Sequence, residues 1–232
     1  MIRKITIAID GYSSTGKSTV AKQLADYLYY VYVDTGAMYR AITLFALKNN
    51  IINKEFFNKE LLVEKLPEIE IGFVNNTIQG RSDIHLNGIN VEKEIRTLTV
   101  SNFVSAVSTV SEVRKKLVAI QHKMGKEKGI VMDGRDIGTV VFPDAELKIF
   151  MTADADKRAM RRYKELIARG DKISYKDILH NVQTRDHIDT TRKDSPLIKA
   201  KDAIVIDNSE INLEDQFHIV LQLAKDRIAG RV

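Results

Sequence analysis

The first clear pattern in the chain is Ile5-Thr6-Ile7-Ala8-Ile9-Asp10, an apolar run of strand length that ends in a carboxylate. Four more runs have the same form: Val31-Tyr32-Val33-Asp34, Ile130-Val131-Met132-Asp133, Leu147-Lys148-Ile149-Phe150-Met151 and Ala203-Ile204-Val205-Ile206-Asp207. Short, nearly continuous apolar runs suit strands buried on both faces of a parallel sheet. Helical spacing appears between them, first in Val20-Ala21-Lys22-Gln23-Leu24-Ala25. This alternation predicts an α/β fold, a three-layer doubly wound parallel five-stranded sheet with helices on both faces. Ligands of such sheets bind outside the carboxyl ends of the strands. Asp10-Gly11, Asp34-Thr35-Gly36, Asp133-Gly134-Arg135-Asp136 and Asp207-Asn208-Ser209 all fall at those ends.

Two segments break the alternation. Between Leu61 and Arg96 the period becomes two, with Ile69, Ile71 and Phe73, then Ile84 and Leu86, and Asn87-Gly88 before Ile89 and Val91. Asn-Gly between such residues signals a tight hairpin, so a small antiparallel sheet is expected as an insertion. The second segment, Asp154 to Asp171, is helical and rich in arginine: Arg158, Arg161, Arg162 and Arg169. Arg158, Arg161 and Arg162 share one face and look unbalanced by acids at that spacing. A solvated helix face is one reading; a mobile cationic lid over a triphosphate is the better one.

Gly11-Tyr12-Ser13-Ser14-Thr15-Gly16-Lys17-Ser18-Thr19 joins the first strand run to the first helical stretch. It fits G-x-x-x-x-G-K-[ST] in the strand–loop–helix setting that motif requires. A ligand-free glycine turn would share some of these letters, but the flanking pattern favours a bound nucleoside triphosphate. Gly11 and Gly16 let the backbone aim consecutive N–H groups at a β-phosphate, and the helix beginning there adds its positive dipole end. Lys17 is expected to bridge β- and γ-phosphate oxygens, and the Ser18 hydroxyl to take one Mg²⁺ position.

The other strand ends carry further chemistry. Two carboxylates and an arginine at Asp133-Gly134-Arg135-Asp136 are costly to bury without partners. Beside a phosphate loop those partners are Mg²⁺ waters for Asp133, phosphate for Arg135 and substrate for Asp136; a purely structural ion pair is the alternative. In Asp34-Thr35-Gly36-Ala37-Met38-Tyr39-Arg40, Asp34 or Thr35 could simply cap a helix, or Thr35 and Arg40 could bind a second phosphate. Arg185, Asp189 and Arg192 lie at i, i+4 and i+7, one face of a helix, either as surface support or as part of a site. His187 lies off that face, and the histidines are read as exposed or packed.

Composition narrows the setting. A length of 232 residues suits one α/β domain with insertions, or two small ones. With no cysteine there is no disulfide framework and no thiol zinc site. The N-terminal apolar run is too short for a signal peptide core, and no stretch approaches a membrane span, so a cytoplasmic protein is expected. The net charge of +5 could indicate nucleic acid, but a site for two polyanionic nucleotides calls for cations as well.

These residues together resemble the bacterial cytidylate kinases, of the nucleoside monophosphate kinase group. The resemblance covers the phosphate loop, Asp34 to Arg40, Glu94-Ile95-Arg96-Thr97, Asp133 through Ala145, and Arg185-Asp186 through Ser195-Pro196-Leu197. It implies that Thr35, Tyr39, Arg40 and Arg135 hold the CMP phosphate region. Ser105, Arg114, Asp136 and Arg192 would surround the cytosine, and Arg185 and Asp189 would meet the sugar. Arg158 and Arg162 would belong to the lid, acting with Lys17 and Arg135 in catalysis. The expected partition is a single domain over 1–232: a core of 1–35, 106–152 and 172–232, an acceptor-binding insertion of 36–105, and a lid of 153–171. Two positions depart from the family's pattern: Tyr12 stands where proline is common, and Thr35 where serine is, though threonine keeps the hydroxyl.

Base chemistry agrees with the resemblance. The cytosine amino group is a donor, for which Asp136 is an acceptor; its N3 and O2 are acceptors, for Arg114 and Ser105. Uracil would turn a carbonyl toward Asp136, and sites built on such bonds reject the wrong group strongly. The expected reaction moves the γ-phosphoryl group of ATP, with Mg²⁺, to CMP or dCMP in pyrimidine nucleotide metabolism, by a monomer that needs neither nucleic acid nor membrane. The rivals are other small-molecule P-loop kinases, a regulatory GTPase or a nucleic-acid-dependent ATPase. Asn53-Lys54-Glu55-Phe56 and Asn58-Lys59-Glu60-Leu61 both lack the aspartate of a guanine-reading N-K-x-D, and no basic platform interleaved with aromatics is visible.

Overall fold

The computed structural model describes residues 3–76 and 81–231. In chain order its regular elements are β1 (Thr6–Gly11), α1 (Lys17–Leu28), β2 (Val31–Asp34), α2 (Thr35–Lys48), α3 (Lys59–Lys65), β3 (Ile71–Asn76), β4 (Arg81–Leu86) and β5 (Ile89–Asn90). There follow α4 (Leu98–Val107), α5 (Ser111–Met124), β6 (Ile130–Gly134), β7 (Leu147–Thr152), α6 (Ala155–Ala168), α7 (Tyr175–Thr191), β8 (Ile204–Asp207) and α8 (Leu213–Ile228). They form two compact units, Met1–Val33 with His122–Val232, and Asp34–Gln121.

The five apolar runs build one parallel sheet, in the order β2-β6-β1-β7-β8. Strand β1 is central, with Thr6 opposite Ile130 on one side and Ile7 opposite Leu147 on the other. The chain leaves β1 toward β2 on one side and later crosses from β6 to β7 on the other, so the strand order reverses at β1, the place where such sheets open a crevice at their carboxyl end. In the first unit, Ile7 and Ile9 of β1 and Ile149 of β7 pack with Val20, Ala21 and Leu24 of α1 and Val220 and Ala224 of α8. Removing each of these isoleucine, valine and leucine side chains from water stabilises the fold by about 1.5–3 kcal/mol, which fixes where β1 ends and the phosphate loop begins.

The second unit holds the antiparallel sheet, ordered β3-β4-β5. Leu86 faces Ile89 across Asn87-Gly88. The φ angles of Asn87 and Gly88 are 49° and 78°, and two positive values in succession make the tight turn that Asn-Gly tolerates best. Helix α2 starts because the Asp34 carboxylate accepts from Ala37 N–H at 2.9 Å, and it packs against α4, itself capped by Thr97.

Two expectations need correction. Helix α7 ends at Thr191, and Arg192 caps it in extended backbone (ψ 146°), one residue beyond the helix that the i, i+7 spacing assumes, with its guanidinium still 3.6 Å from Asp189. Nor is the arginine face of α6 unbalanced: Glu165 pairs with Arg162 at i,i+3, at 2.8 Å, and with Arg169 at i,i+4. Periodicity alone extended the helix past its end and overlooked the acid between two arginines.

Candidate active site

The first unit contains the phosphate loop. At Gly11 the φ is 147°, and a Cβ there would stand 2.0 Å from the Met151 carbonyl oxygen, so only glycine lets the chain leave β1 against β7. Gly16, with φ 87°, precedes α1, whose first turn has no side-chain cap. Those N–H groups, with the positive end of the helix dipole, form an anion site. The Lys17 ammonium lies back over the loop, donating to the Tyr12 carbonyl at 2.6 Å and the Thr15 hydroxyl at 3.3 Å. Burial, followed by the nearby Arg135, pushes it down to about 7. Such a cation is stabilised by any anion brought to it.

Parallel pairing of β1 with β6 sets Asp133 beside Ile9 and Gly134 beside Asp10. Asp133 accepts from the Ser18 hydroxyl at 3.0 Å and from the Tyr32 hydroxyl at 2.8 Å. Hydroxyl and carboxylate oxygens beside a phosphate loop are the hard donors Mg²⁺ takes, with phosphate and water completing the shell, so these residues fit that ion. Among the described residues no cluster of three or more His, Cys, Asp or Glu could hold a metal alone.

Past β6 the chain enters a buried ionic cluster with the end of α7. Arg135 Nε donates to Asp189 Oδ2 at 2.7 Å. Arg192 approaches Asp189 at 3.6 Å and Asp136 at 3.9 Å, and donates to the Ser195 carbonyl at 2.6 and 2.9 Å. Burial alone would raise the Asp189 carboxyl, but Arg135, Arg185 and Arg192 outweigh it and hold it below the usual range. Asp136 is only 4% exposed. One place thus gathers Arg135, Asp136, Asp189 and Arg192, with Arg185 contributing charge.

Arg158 does not stand on a solvated helix face. It is 4% exposed, pairs with Asp186 at 2.7 Å, donates to the Ser13 carbonyl of the phosphate loop at 3.2 Å, and lies 5.1 Å from the Tyr12 ring centroid. Tyr12 in turn meets Phe150 edge to face, so where the family pattern has proline, an aromatic ring braces the loop against an arginine and β7. Arg162, by contrast, pairs on its own helix with Glu165.

In the second unit Asp34 is both helix cap and anion for two arginines, Arg40 at 3.1 Å and Arg96 at 2.8 Å. Thr35 is buried at the first position of α2. Tyr39, Ser105 and Arg114 come together: the Arg114 guanidinium lies 5.5 Å from the Tyr39 ring centroid and donates to the Ser108 carbonyl at 3.3 Å, while the Ser108 hydroxyl donates to the Ser105 carbonyl at 2.8 Å.

The sequence gives Tyr32 no role, and it marks Asp10 and Asn208 only by their place at strand ends, without their partners. The Asn208 amide donates to the Thr15 carbonyl at 2.6 Å and its oxygen accepts from Arg161 at 3.0 Å, tying β8 and α6 to the phosphate loop. Its place after a strand-end aspartate was the available signal; Tyr32 lay within an apolar run and gave none.

A phosphate loop at the carboxyl end of the central strand of a parallel sheet, with a hydroxyl–carboxylate pair for Mg²⁺ beside it, defines a P-loop nucleotide-binding protein. A solved structure of an uncharacterized protein from Eubacterium ventriosum shares the fold, with a TM-score of 0.52 at 13% identity over 97% of this chain and 99% of that one. The family described as cytidylate kinase matches residues 7–226. The cytidylate kinase of Flavobacterium johnsoniae is 64% identical over 97% of this chain and 98% of its own. Those of Flavobacterium psychrophilum and Cytophaga hutchinsonii are 61% and 51% identical, covering 97% and 96% of this chain and 100% and 94% of theirs. The chain belongs to the cytidylate kinase family.

Proposed function

We propose that this kinase transfers the γ-phosphoryl group of ATP in line to a phosphate oxygen of CMP or dCMP, giving ADP and CDP or dCDP. Beyond family membership, the observation that carries the reading is the buried cluster past the end of β6, where the Asp136 carboxylate lies 3.9 Å from the Arg192 guanidinium, two residues beyond the Gly134 that pairs with Asp10 of β1. A buried carboxylate accepts from an exocyclic amino group and repels a carbonyl, which selects cytosine over uracil. Ser105, Arg114 and Arg192 complete the base site, Arg185 and Asp189 the sugar site, and Thr35, Tyr39, Arg40 and Arg135 the acceptor phosphate site.

The acceptor phosphate needs no general base, because with a second pKa near 6 it is already an oxyanion at neutral pH. Alignment and charge neutralisation supply the acceleration. Lys17 stabilises charge on the β- and γ-phosphates, Arg135 charge at the acceptor, and Arg158 and Arg162 the transferring group. Ser18, and Asp133 through water, would hold Mg²⁺, which neutralises phosphate charge when bound. Residues 36–105 act as the acceptor-binding insertion and 153–171 as the lid, in a cytoplasmic monomer acting on free nucleotides.

The test is ADP release with ATP, Mg²⁺ and each of CMP, dCMP, UMP, AMP, dTMP and shikimate, against a control lacking acceptor. Fast release with CMP and dCMP and slow release with UMP is expected. Release independent of acceptor, or fastest with another one, contradicts the proposal.

A further inference from the structure

We propose that Asp10 is a specificity-positioning residue of this kinase: its carboxylate clamps the backbone that follows Asp136 and thereby fixes where the Asp136 carboxyl stands. The inference rests on Asp136 as the group that reads the base. Asp10 closes β1, opposite Gly134 of β6 on one side and Phe150 of β7 on the other, and is 4% exposed. Its two oxygens are used separately. Ile137 N–H donates to Oδ1 at 2.8 Å and Gly138 N–H to Oδ2 at 2.7 Å. These are the first two peptide groups after Asp136, at the start of a wide helical turn over Ile137–Val141 that Asp136 itself enters at φ −145°, ψ 25°. Bonds from N–H to a buried carboxylate are about twice as strong as neutral ones, and two on adjacent peptides fix a turn's orientation as well as its position.

The surroundings allow the clamp no slack. A Cβ on Gly138 would lie 3.1 Å from Lys148 Cδ and 3.4 Å from Asp10 Oδ2. On the other side a Cβ on Gly11 would stand 2.0 Å from the Met151 carbonyl oxygen, so the backbone next to Asp10 lies close against β7. Burial, the largest influence, pushes the Asp10 carboxyl up to about 7; the two N–H bonds oppose it, and the nearby charges, Asp136 raising and Lys17 lowering, are weaker than those bonds. Asp10 touches neither reacting phosphate nor base in this account, and acts through the turn.

Asparagine tests this directly. It preserves shape but offers one acceptor oxygen, and its amide NH₂ then faces a second N–H, donor against donor. In Asp10→Asn, kcat/KM for CMP should fall about tenfold or more while that for UMP does not fall with it, so the CMP:UMP ratio drops about tenfold. The KM for ATP should stay within about twofold, because the phosphate loop keeps its own contacts. An equal loss on both acceptors, or a raised KM for ATP with the CMP:UMP ratio intact, overturns the positioning role. If Asp10→Asn does not fold, Asp10→Ser carries the same readout, with a hydroxyl in place of the competing amide. Wild-type enzyme in the same assay separates the two claims: lack of CMP preference there contradicts the proposed reaction, whereas a preference undiminished in the variant contradicts the clamp.

Discussion

Asp136 stands 3.9 Å from the Arg192 guanidinium in a nearly dry site, so asparagine in its place keeps the volume and changes only the hydrogen bonding. Asp136→Asn should lower the CMP:UMP ratio of kcat/KM by about tenfold or more, since an amide can serve either an amino group or a carbonyl. Steady-state rates on the two acceptors decide it, and an unchanged ratio removes Asp136 from the base site. The residues that sequence made legible are those whose type is costly without a purpose: Lys17 and the glycines of the phosphate loop, the acids closing apolar strands, and Arg135 between two of them. What it left unread is the partners that residues meet far along the chain. Tyr32 meets Asp133 across 101 residues, Asn208 meets Thr15 across 193, and Asp10 meets Ile137 across 127. No local pattern encodes such pairs; the strand order, with β2 beside β6, β6 beside β1 and β8 beside β7, creates them.

At the scale of elements, α2 depends on Asp34. Burial alone would raise this carboxyl, but Arg40 and then Arg96 outweigh it and hold it at about 2. A depressed carboxyl stabilises the fold above its unfolded pKa, near 3.9, and loses that contribution as pH falls through the folded value. Asparagine caps a helix as well as aspartate does, so Asp34→Asn isolates the charge. The variant should be less stable by about 2 kcal/mol at pH 7, and the difference should shrink between about pH 4 and pH 2. Denaturant melts across that range check it, and equal stability at neutral pH contradicts it. On α6, Arg158→Ala with Arg162→Ala should cut kcat about a hundredfold or more, most of it from Arg158, which reaches the Ser13 carbonyl, while Arg162 pairs with Glu165. Unchanged kcat would refute the role given to α6. Strand and helix alternation was readable because buried strands have so little freedom in composition. The end of α7 was not: Arg192 continues the spacing of Arg185 and Asp189, yet its guanidinium reaches the Ser195 carbonyl only because the chain leaves the helix there.

For the whole molecule, the sheet order accounts for the gathering of chemistry. Placing β1 between β6 and β7 brings the phosphate loop, the Asp133–Asp136 segment and Arg158 to one end of the first unit, although they are spread from Gly11 to Arg158 in sequence. The family match from residue 7 to residue 226 spans that same stretch. The γ-phosphoryl group of ATP is expected to end on the phosphate of CMP, and phosphorus NMR of a single reaction mixture with ATP, Mg²⁺ and CMP reads its destination. The account predicts that the paired CDP resonances grow in step with those of ADP while inorganic phosphate stays near its starting level. Growth of inorganic phosphate with ADP, and CMP left unchanged, would contradict it.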